Sequence, residues 1–400
     1  MPFQDFFFKV HAVLLVISLL YIFYHFIINI IKKEKFENSI LLFTLATFAI
    51  PLLSAMRSYI EFGQPILIGI LAERGWFSIG IAFWFYDNLM SKRLNFRYLE
   101  NSFIFLAFLP LFFYLSSILF IDFNDIPINN NFLVMDELRG ARFSFQTFFV
   151  VFGAIYYLIK YNIRNSILDL ILSFTFFSYI FFVAQSRILI VASLFLAFYY
   201  YYSFYPLNKS FIKVFQFVLF MMLLVIFIRV INPEYFNNIS FLISDTILSL
   251  NNNSSADISY GIRIYSLLTV YNFLALSPLS FFFGAGTVST QFDGGFNNIF
   301  GYLYPADIGI IGGVFLYGVF IVIFLSTMQI YYSVKAIQYT KSTNDIFVLS
   351  MKYMVIFYLI YLPVNGLYMR SSTLVNIDMW SILFFSILAF HKHSIKNEIT

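Results

Sequence analysis

The chain consists of long apolar stretches separated by short polar breaks, a pattern that predicts a helical membrane protein. A membrane-spanning helix needs about 20 mostly apolar residues, and eleven stretches approach that length. They cover residues 10–31, 39–56, 67–90, 102–121, 143–160, 167–185, 188–205, 213–231, 305–332, 347–364 and 374–391. We therefore expect an all-α fold, with residues 1–400 forming a single integral membrane domain.

Two polar connections, residues 122–142 and residues 232–304, are longer than the others. Long connections inside a compact protein are usually functional or disordered. Within the second connection, residues 258–283 are apolar and aromatic. This composition predicts an interfacial or re-entrant helix that is ended by Pro278 and the glycines that follow it.

Basic residues favour one threading of these spans, with the N-terminus outside and the C-terminus inside. In that threading the inner loops hold fifteen basic residues, twelve of them lysine, and the outer side holds nine, eight of them arginine. Inner lysines follow the positive-inside rule. The outer arginines are Arg57, Arg74, Arg139, Arg142, Arg187, Arg229, Arg263 and Arg370. Because a guanidinium binds phosphate or carboxylate through a planar fork of donors, they predict an outward-facing anion site.

Composition narrows the class of protein and its chemistry. Hydrophobic residues make up 61% of the chain and charged residues 11%, so a soluble multidomain protein is excluded. The net charge of +4 comes from loop lysines and does not indicate a nucleic-acid partner. The absence of cysteine excludes disulfides, thiolate zinc sites and iron–sulfur clusters. No metal-binding or nucleotide-binding motif occurs in a suitable context, so we expect no cofactor.

Arginines of the two outer connections are the first candidates for binding. Arg139 and Arg142 are three residues apart, so a helical turn would place them on one face as a clamp for two phosphate oxygens. Arg263 lies near the start of the apolar segment 258–283. The alternative is that these arginines pair with Asp136 and Glu137 or contact lipid headgroups.

Glycines and acids near the ninth stretch form a second group. Gly284 and Gly286 could bring backbone N–H groups close to a ligand, although a plain turn explains the same pattern. Asp307 could act as a general base at the outer interface. Alternatively, its negative charge could interact favourably with the helix dipole at the start of a membrane helix.

Carboxylates inside the apolar stretches are scarce. Asp87, Asp169 and Asp378 fall near span ends, and Glu73 could pair with the adjacent Arg74 at the outer interface. Ion-coupled pumps usually bury such groups deep in the bilayer. The sequence therefore argues against a proton-driven transporter.

Four short motifs, in this order, resemble the superfamily of bacterial O-antigen polymerases and O-antigen ligases. They are Arg139-Gly140-Ala141-Arg142-Phe143, Gln185-Ser186-Arg187-Ile188-Leu189, the long connection with Tyr260-Gly261-Ile262-Arg263-Ile264 and Phe283-Gly284-Ala285-Gly286, and Asn297-Asn298-Ile299-Phe300 followed by Asp307-Ile308-Gly309. Ligases of this superfamily carry a histidine where this chain has Asn297. The resemblance is therefore to the Wzy-type polymerase branch.

This resemblance implies a metal-independent glycosyltransferase of the bacterial inner membrane. Such an enzyme joins oligosaccharide units carried on undecaprenyl pyrophosphate into O-antigen of lipopolysaccharide, capsule or exopolysaccharide. It works among membrane lipids, with a chain-length regulator protein as a further partner. The pyrophosphate would be bound by Arg139, Arg142, Arg187, Arg263, Gly284 and Gly286, and catalysis would involve Arg263 and Asp307. Asp293, Asn297 and Asn298 are further candidates. A glycan ligase and a flippase for lipid-linked oligosaccharides remain as alternatives.

Overall fold

A computed structural model describes residues 38–120, 133–136, 140–143, 147–231, 258–365 and 377–399, apart from positions 185, 302 and 342, together with scattered helical residues between 13 and 28. The first apolar stretch, residues 10–31, and the polar residues 232–257 therefore lie largely or wholly outside the description. Apart from turns, short connections and one hairpin of two strands, the described residues are helical, which confirms the predicted helical class.

The described ranges contain the following α-helices. In chain order they are α1 (Asn38–Phe62), α2 (Ile66–Ala72), α3 (Ile79–Met90), α4 (Phe96–Phe120), α5 (Thr147–Arg164), α6 (Ile167–Ser178), α7 (Arg187–Phe204), α8 (Leu207–Ile231), α9 (Ile258–Leu276), α10 (Pro278–Phe283), α11 (Phe296–Phe300), α12 (Gly309–Tyr339), α13 (Ile346–Asn365) and α14 (Ile377–Ile399). Short 3-10 helices at Arg74–Ser78 and Pro305–Ile308 precede α3 and α12, and a π-helix at Tyr179–Ala184 extends α6.

Four helical stretches of the described residues are long and apolar enough to cross a membrane. They are Phe43–Phe62, Phe96–Ser116, Ile167–Ala184 and Gly309–Tyr339. The pair Ile66–Ala72 and Arg74–Met90 is bent by 56° and makes a fifth if it is one broken span. Helices of this length and composition could cross a membrane, whereas the larger number of eleven spans stays a prediction.

Packing divides the chain into two compact units. The first comprises Met1–Phe96, Ile262–Asn344 and Tyr358–Thr400, and the second comprises Arg97–Gly261 and Asp345–Phe357. Each unit buries apolar and aromatic side chains of its own.

Aromatic side chains from α1, α12 and α14 form the core of the first unit. Phe43 meets Trp380 edge-on with ring centroids 6.0 Å apart, and Tyr332 lies 4.6 Å from Phe384. The C-terminal end of α14 is fixed to α3 by polar contacts, since the His393 Nε2 atom lies 2.9 Å from the Leu89 carbonyl oxygen. Offset and edge-on ring pairs add about 0.5–1.5 kcal/mol each beyond the area they bury. This packing holds the helices that carry the candidate site.

Close packing of α5 on α6 characterises the second unit. Gly153 faces the Phe176 ring so closely that a Cβ atom there would lie 2.9 Å from it. Ser173 donates a hydrogen bond of 2.8 Å to the Ala154 carbonyl, and Lys160 forms an ion pair of 3.0 Å with Asp169. Small residues at such contacts allow two helices to approach each other in membrane proteins.

The hairpin corrects one expectation from the sequence. Strand β1 (Leu133–Asp136) pairs antiparallel with β2 (Gly140–Phe143), and Arg142 is in register with Val134. The predicted helical turn with Arg139 and Arg142 on one face is therefore wrong. Hydrogen bonding between the strands replaces the local hydrogen bonds of a helix, and residues three apart do not share a face on a strand of period two. Arg139 itself lies outside the described residues.

Candidate functional site

A stripe of polar residues runs along α1, inside a stretch that is otherwise apolar. Arg57 and Ser58 follow Ser54 by three and four residues, and Glu61 follows them by four and three, so the 3.6-residue period of an α-helix places all four on one face. Ser54, Arg57 and Ser58 are buried. Polar groups that are buried between apolar helices must find partners within the protein.

Arg57 finds its partners on α10 and at the glycine that follows α10. Its Nε atom donates to the Gly284 carbonyl at 2.8 Å, and its Nη2 atom donates to Ser280 Oγ at 3.0 Å and forms an ion pair with Glu61. Ser280 Oγ also donates to the Glu61 carboxylate at 2.8 Å. Sequence alone grouped Arg57 with the outer arginines, but its charge is matched within the protein.

Gly284 and Gly286 form a packing contact with α12 rather than an open cradle for a ligand. Gly284 and Gly286 have φ angles of +80° and +84°, a region that favours glycine. The amides of Ala285 and Gly286 donate to the carbonyls of Phe315 and Leu316 at 2.7 and 3.0 Å. The Gly284 amide donates to the Ser280 carbonyl. Because all three donors are used, the structure does not support the predicted pyrophosphate role of these two glycines.

A glutamine joins the segment after these glycines to α1. Gln64 Nε2 donates to the Thr287 carbonyl at 2.9 Å and to Ser58 Oγ at 3.0 Å. Its Oε1 atom accepts the Ser289 amide at 2.7 Å. Because this one side chain bonds both a carbonyl and an amide of the backbone, it fixes the path of the segment 284–289 against α1.

Glu73 is a fully buried carboxylate at the break between α2 and the 3-10 helix Arg74–Ser78. Trp76 Nε1 donates to it at 2.9 Å and Ser54 Oγ at 3.1 Å. The Tyr317 hydroxyl lies 3.0 Å from both carboxyl oxygens. The expected pairing of Glu73 with Arg74 at the surface is thus replaced by an inward position, while Arg74 Nη1 donates to the Leu71 carbonyl.

This carboxylate also changes an argument made from the sequence. The scarcity of deep carboxylates counted against a proton-driven transporter, but Glu73 is buried among helices that are apolar enough to span a membrane. Apolar periodicity could not identify it, because the side chains that bury it come from α1, the Arg74–Ser78 helix and α12.

Arg263 is exposed near the start of α9. Within the described part of the chain it forms no ion pair with an acidic side chain. Two residues later, Tyr265 donates a hydrogen bond of 3.1 Å to the Phe300 carbonyl at the end of α11. This contact ties the start of α9 to the segment that carries the other predicted residues of the first unit.

That segment, residues 293–308, presents two exposed carboxylates. Asp293 has a left-handed φ of +46°, and Asp307 lies in the 3-10 helix before α12; both are exposed. Asn297 has a structural role, because its Oδ1 atom accepts the Leu303 amide at 3.3 Å and its Nδ2 atom donates to the Tyr304 hydroxyl at 3.1 Å. Asn298 is exposed beside Gly294.

The remaining predicted arginines belong to the second unit. Arg142 lies in β2 and Arg187 is the first residue of α7. Arg263, Asp293 and Asp307 thus belong to one unit, and Arg142 and Arg187 belong to the other.

A cavity of about 340 Å³ opens beside Arg57 and Tyr317. Its other lining residues are apolar and come from α1, α10 and α12; they are Leu53, Met56, Ile60, Phe282, Phe283, Phe320 and Ile321. The described residues contain no group of three or more histidines and acids that could hold a metal ion.

Comparison with known proteins adds no family to this description. No protein-family model, curated protein or solved structure matches the chain significantly.

Proposed function

We propose that the chain is a membrane glycosyltransferase that polymerises oligosaccharide units carried on a lipid pyrophosphate, at the outer face of a bacterial inner membrane. The observation that carries the proposal is Arg263, an exposed arginine without an acidic partner among the described residues, on the same unit as the exposed carboxylates Asp293 and Asp307. This combination supplies a cation for the pyrophosphate and a base for the acceptor.

The proposed reaction transfers the growing glycan from one lipid carrier to the terminal sugar of another. The acceptor hydroxyl oxygen forms a bond to the anomeric carbon of the donor glycan, and the bond from that carbon to the pyrophosphate oxygen breaks. The pyrophosphate leaves with the electron pair, and Arg263 stabilises the charge that develops on it. Asp307 or Asp293 accepts the hydroxyl proton. The lipid pyrophosphate is already an activated leaving group, so no nucleotide is required.

Two features support this assignment beyond the motif resemblance. The helical stretches long enough to span a membrane fit an enzyme that works on lipid-linked substrates. The contact between Tyr265 and Phe300 holds α9 against the segment with both candidate bases, and a fixed relation between the anion-binding group and the base is what group transfer needs.

A second candidate is proton-coupled translocation of a lipid-linked oligosaccharide, which Glu73 favours. Ionisable residues within membrane helices mark proton and ion pathways in many transporters. Broken helices form the ion sites of several transporter folds, and Glu73 lies at such a break. Translocation would need Glu73, whereas polymerisation would need Arg263.

An assay with purified protein in lipid bilayers tests both candidates. We expect lipid-linked repeat units to be elongated into a ladder of longer glycans when two units are present on the same face. Movement of the lipid-linked repeat unit across the bilayer without elongation would favour translocation over polymerisation. Transfer of the glycan to a lipid core acceptor, and not to a second repeat unit, would identify a ligase.

A further inference from the structure

Two carboxylates are buried among the described residues, and their surroundings differ. Asp169 is 5% exposed and forms an ion pair of 3.0 Å with Lys160. Glu73 is fully buried, and its hydrogen-bond partners Ser54, Trp76 and Tyr317 are all neutral. A buried carboxylate without a cationic partner is costly when it is ionised, and such a group takes up a proton instead.

The charged groups near Glu73 are already engaged elsewhere. Arg57 shares a face of α1 with Ser54, but it is paired with Glu61 and bonded to α10. Arg74 follows Glu73 in the chain, and its guanidinium donates an exposed hydrogen bond to the Leu71 carbonyl. The titratable group that α12 presents is Tyr317. The segment 284–289 contributes only uncharged groups.

We propose that Glu73 is a proton-binding site, occupied at neutral pH, which exchanges its proton with the adjacent cavity through the Tyr317 hydroxyl. Nothing in the proposed glycan transfer uses this site, so the inference does not depend on that function. Three observations carry it: complete burial, neutral hydrogen-bond partners, and a tyrosine that both contacts the carboxyl group and lines the cavity.

The hydrogen bonds are compatible with a protonated carboxyl group. One Glu73 oxygen donates its proton to the Tyr317 oxygen, while Glu73 Oε1 accepts from Ser54 Oγ and Oε2 accepts from Trp76 Nε1. Release moves the Glu73 proton onto the Tyr317 oxygen as the tyrosine passes its own proton to water in the cavity. Loading reverses these two transfers, so the tyrosine is neutral before and after each exchange.

Both residues of this relay lie at breaks in helices. Glu73 separates α2 from the 3-10 helix, and the segments Ile66–Ala72 and Arg74–Met90 are bent by 56° at this residue. Tyr317 precedes Gly318, which has φ 82° and ψ 162° inside α12. The proton is therefore exchanged between Glu73 and Tyr317, each of which lies where the backbone leaves the helical conformation. Discontinuous membrane helices carry their ion sites at similar breaks.

Infrared spectroscopy of the full chain in lipid bilayers tests the proposal. At neutral pH we expect one C=O stretching band of a protonated carboxyl group, which shifts when the protein is labelled with ¹³C-glutamate and not with ¹³C-aspartate. Glu73→Gln should lose this band. Asp169→Asn is the matched control and should keep the band, because the buried carboxylate of Asp169 has a cationic partner in Lys160. Tyr317→Phe should keep the Glu73 band, shifted to higher frequency. The Glu73 proton of this variant should exchange more slowly for deuterium in heavy water.

Several results would overturn the proposal. Absence of a protonated glutamate band from the unmodified protein at neutral pH would show that Glu73 is ionised, and this measurement needs no variant to fold. A band that persists in Glu73→Gln would belong to another residue. Unchanged exchange in Tyr317→Phe would remove the tyrosine from the path. Each of these results leaves glycan elongation as a separate measurement, so this inference and the proposed polymerase can fail independently.

Discussion

Two arginines of the first unit show how the surroundings of a side chain decide its role. Arg57 is buried, with Glu61, Ser280 and the Gly284 carbonyl as acceptors. Arg263 is exposed on α9 and forms no ion pair within the described residues. A guanidinium whose donors are used by the protein stabilises the fold, whereas one with open donors can bind an anion. Replacing each by lysine should therefore affect different properties.

Arg263→Lys should be nearly as damaging to glycan elongation as Arg263→Ala. A lysine is a point charge and cannot make the bidentate contact of a planar fork. Loss of one set of donors at a developing charge costs about 2.7–4 kcal/mol, or roughly a hundred- to a thousandfold in rate. The measurement is glycan chain length on gels from cells that hold equal amounts of each variant in the membrane.

Lys335→Ala is the control for this series. Lys335 is on α12 and lies over the Tyr331 ring at 5.8 Å, on the face predicted to be inner. The substitution Lys335→Ala should leave the glycan ladder unchanged. A full-length ladder from Arg263→Ala would remove this arginine from the proposed site.

Arg57→Lys should reduce stability. One ammonium group cannot reach the Gly284 carbonyl, Ser280 and Glu61 with the geometry of the guanidinium, and a lost hydrogen bond to a charged group costs about 1.5–3 kcal/mol. We expect a lower midpoint of thermal unfolding in detergent for Arg57→Lys. Arg263→Lys should unfold at the same temperature as the unmodified protein, and an equal loss in both variants would contradict the distinction drawn between them.

At the residue scale, sequence reasoning could have found part of the buried network. The spacing of Ser54, Arg57, Ser58 and Glu61 is that of one helix face and is visible in the sequence. The surroundings of Glu73 are not visible, since Tyr317 lies 244 positions later in the chain. Only packing of α12 against the break after α2 brings the two together.

At the scale of elements, the contacts of the segment 282–286 with α1 and α12 depend on glycine at three positions. Gly284 and Gly286 lie against the Leu316 carbonyl and the α1 backbone, and Gly318 lies against the Phe282 carbonyl. A Cβ atom at any of the three would approach a backbone oxygen to 2.3 Å. The break in α12 is therefore set by close backbone packing rather than by a proline.

Gly318→Ala should destabilise the protein by about 2 kcal/mol or more. The residue has a positive φ, a conformation that costs a non-glycine residue about 1–3 kcal/mol, and its added methyl group would also clash with the Phe282 carbonyl. The matched control is Gly261→Ala, because Gly261 is in α9 and a Cβ atom there meets nothing within 4 Å.

Removing a glycine from the inside of a helix stabilises it by roughly 0.5–1 kcal/mol. Unfolding midpoints of the two alanine variants should therefore move in opposite directions. Equal midpoints would mean that α12 adapts to the substitution at its break.

Elements were predictable wherever apolar length alone defines them. The predicted span 167–185 is found as Ile167–Ala184, and the apolar segment 258–283 is found as α9 and α10, divided where Pro278 begins a new helix. The hairpin of β1 and β2 was missed because two four-residue strands are too short to show a period. The break at Glu73 was missed because its bend is stabilised by distant side chains.

At the scale of the whole molecule, the number of spans depends on more than apolar length. Predicted spans 188–205 and 347–364 coincide with helices α7 and α13, but the apolar parts of these helices within the described residues are only Leu189–Phe204 and Ile346–Tyr361. Whether such short helices cross a bilayer or lie in its surface changes the side on which each loop emerges. Charge supplies an independent criterion, since loops rich in lysine and arginine remain inside.

The threading derived from charge can be tested directly with reporter fusions. Fusions after Lys35, Lys92, Lys209 and Lys396 should all report the inner side, because each of these lysines lies in a predicted inner loop or tail with at least one other basic residue. A fusion after Gly295 should report the outer side, where Arg263, Asp293 and Asp307 must lie to meet a substrate on the outer face. An inner signal after Gly295 would place the candidate site on the wrong side of the membrane for polymerisation, whatever the effect of Arg263 on binding. An outer signal after any of the four lysines would break this threading, and with it the argument that the arginines form an outward-facing anion site.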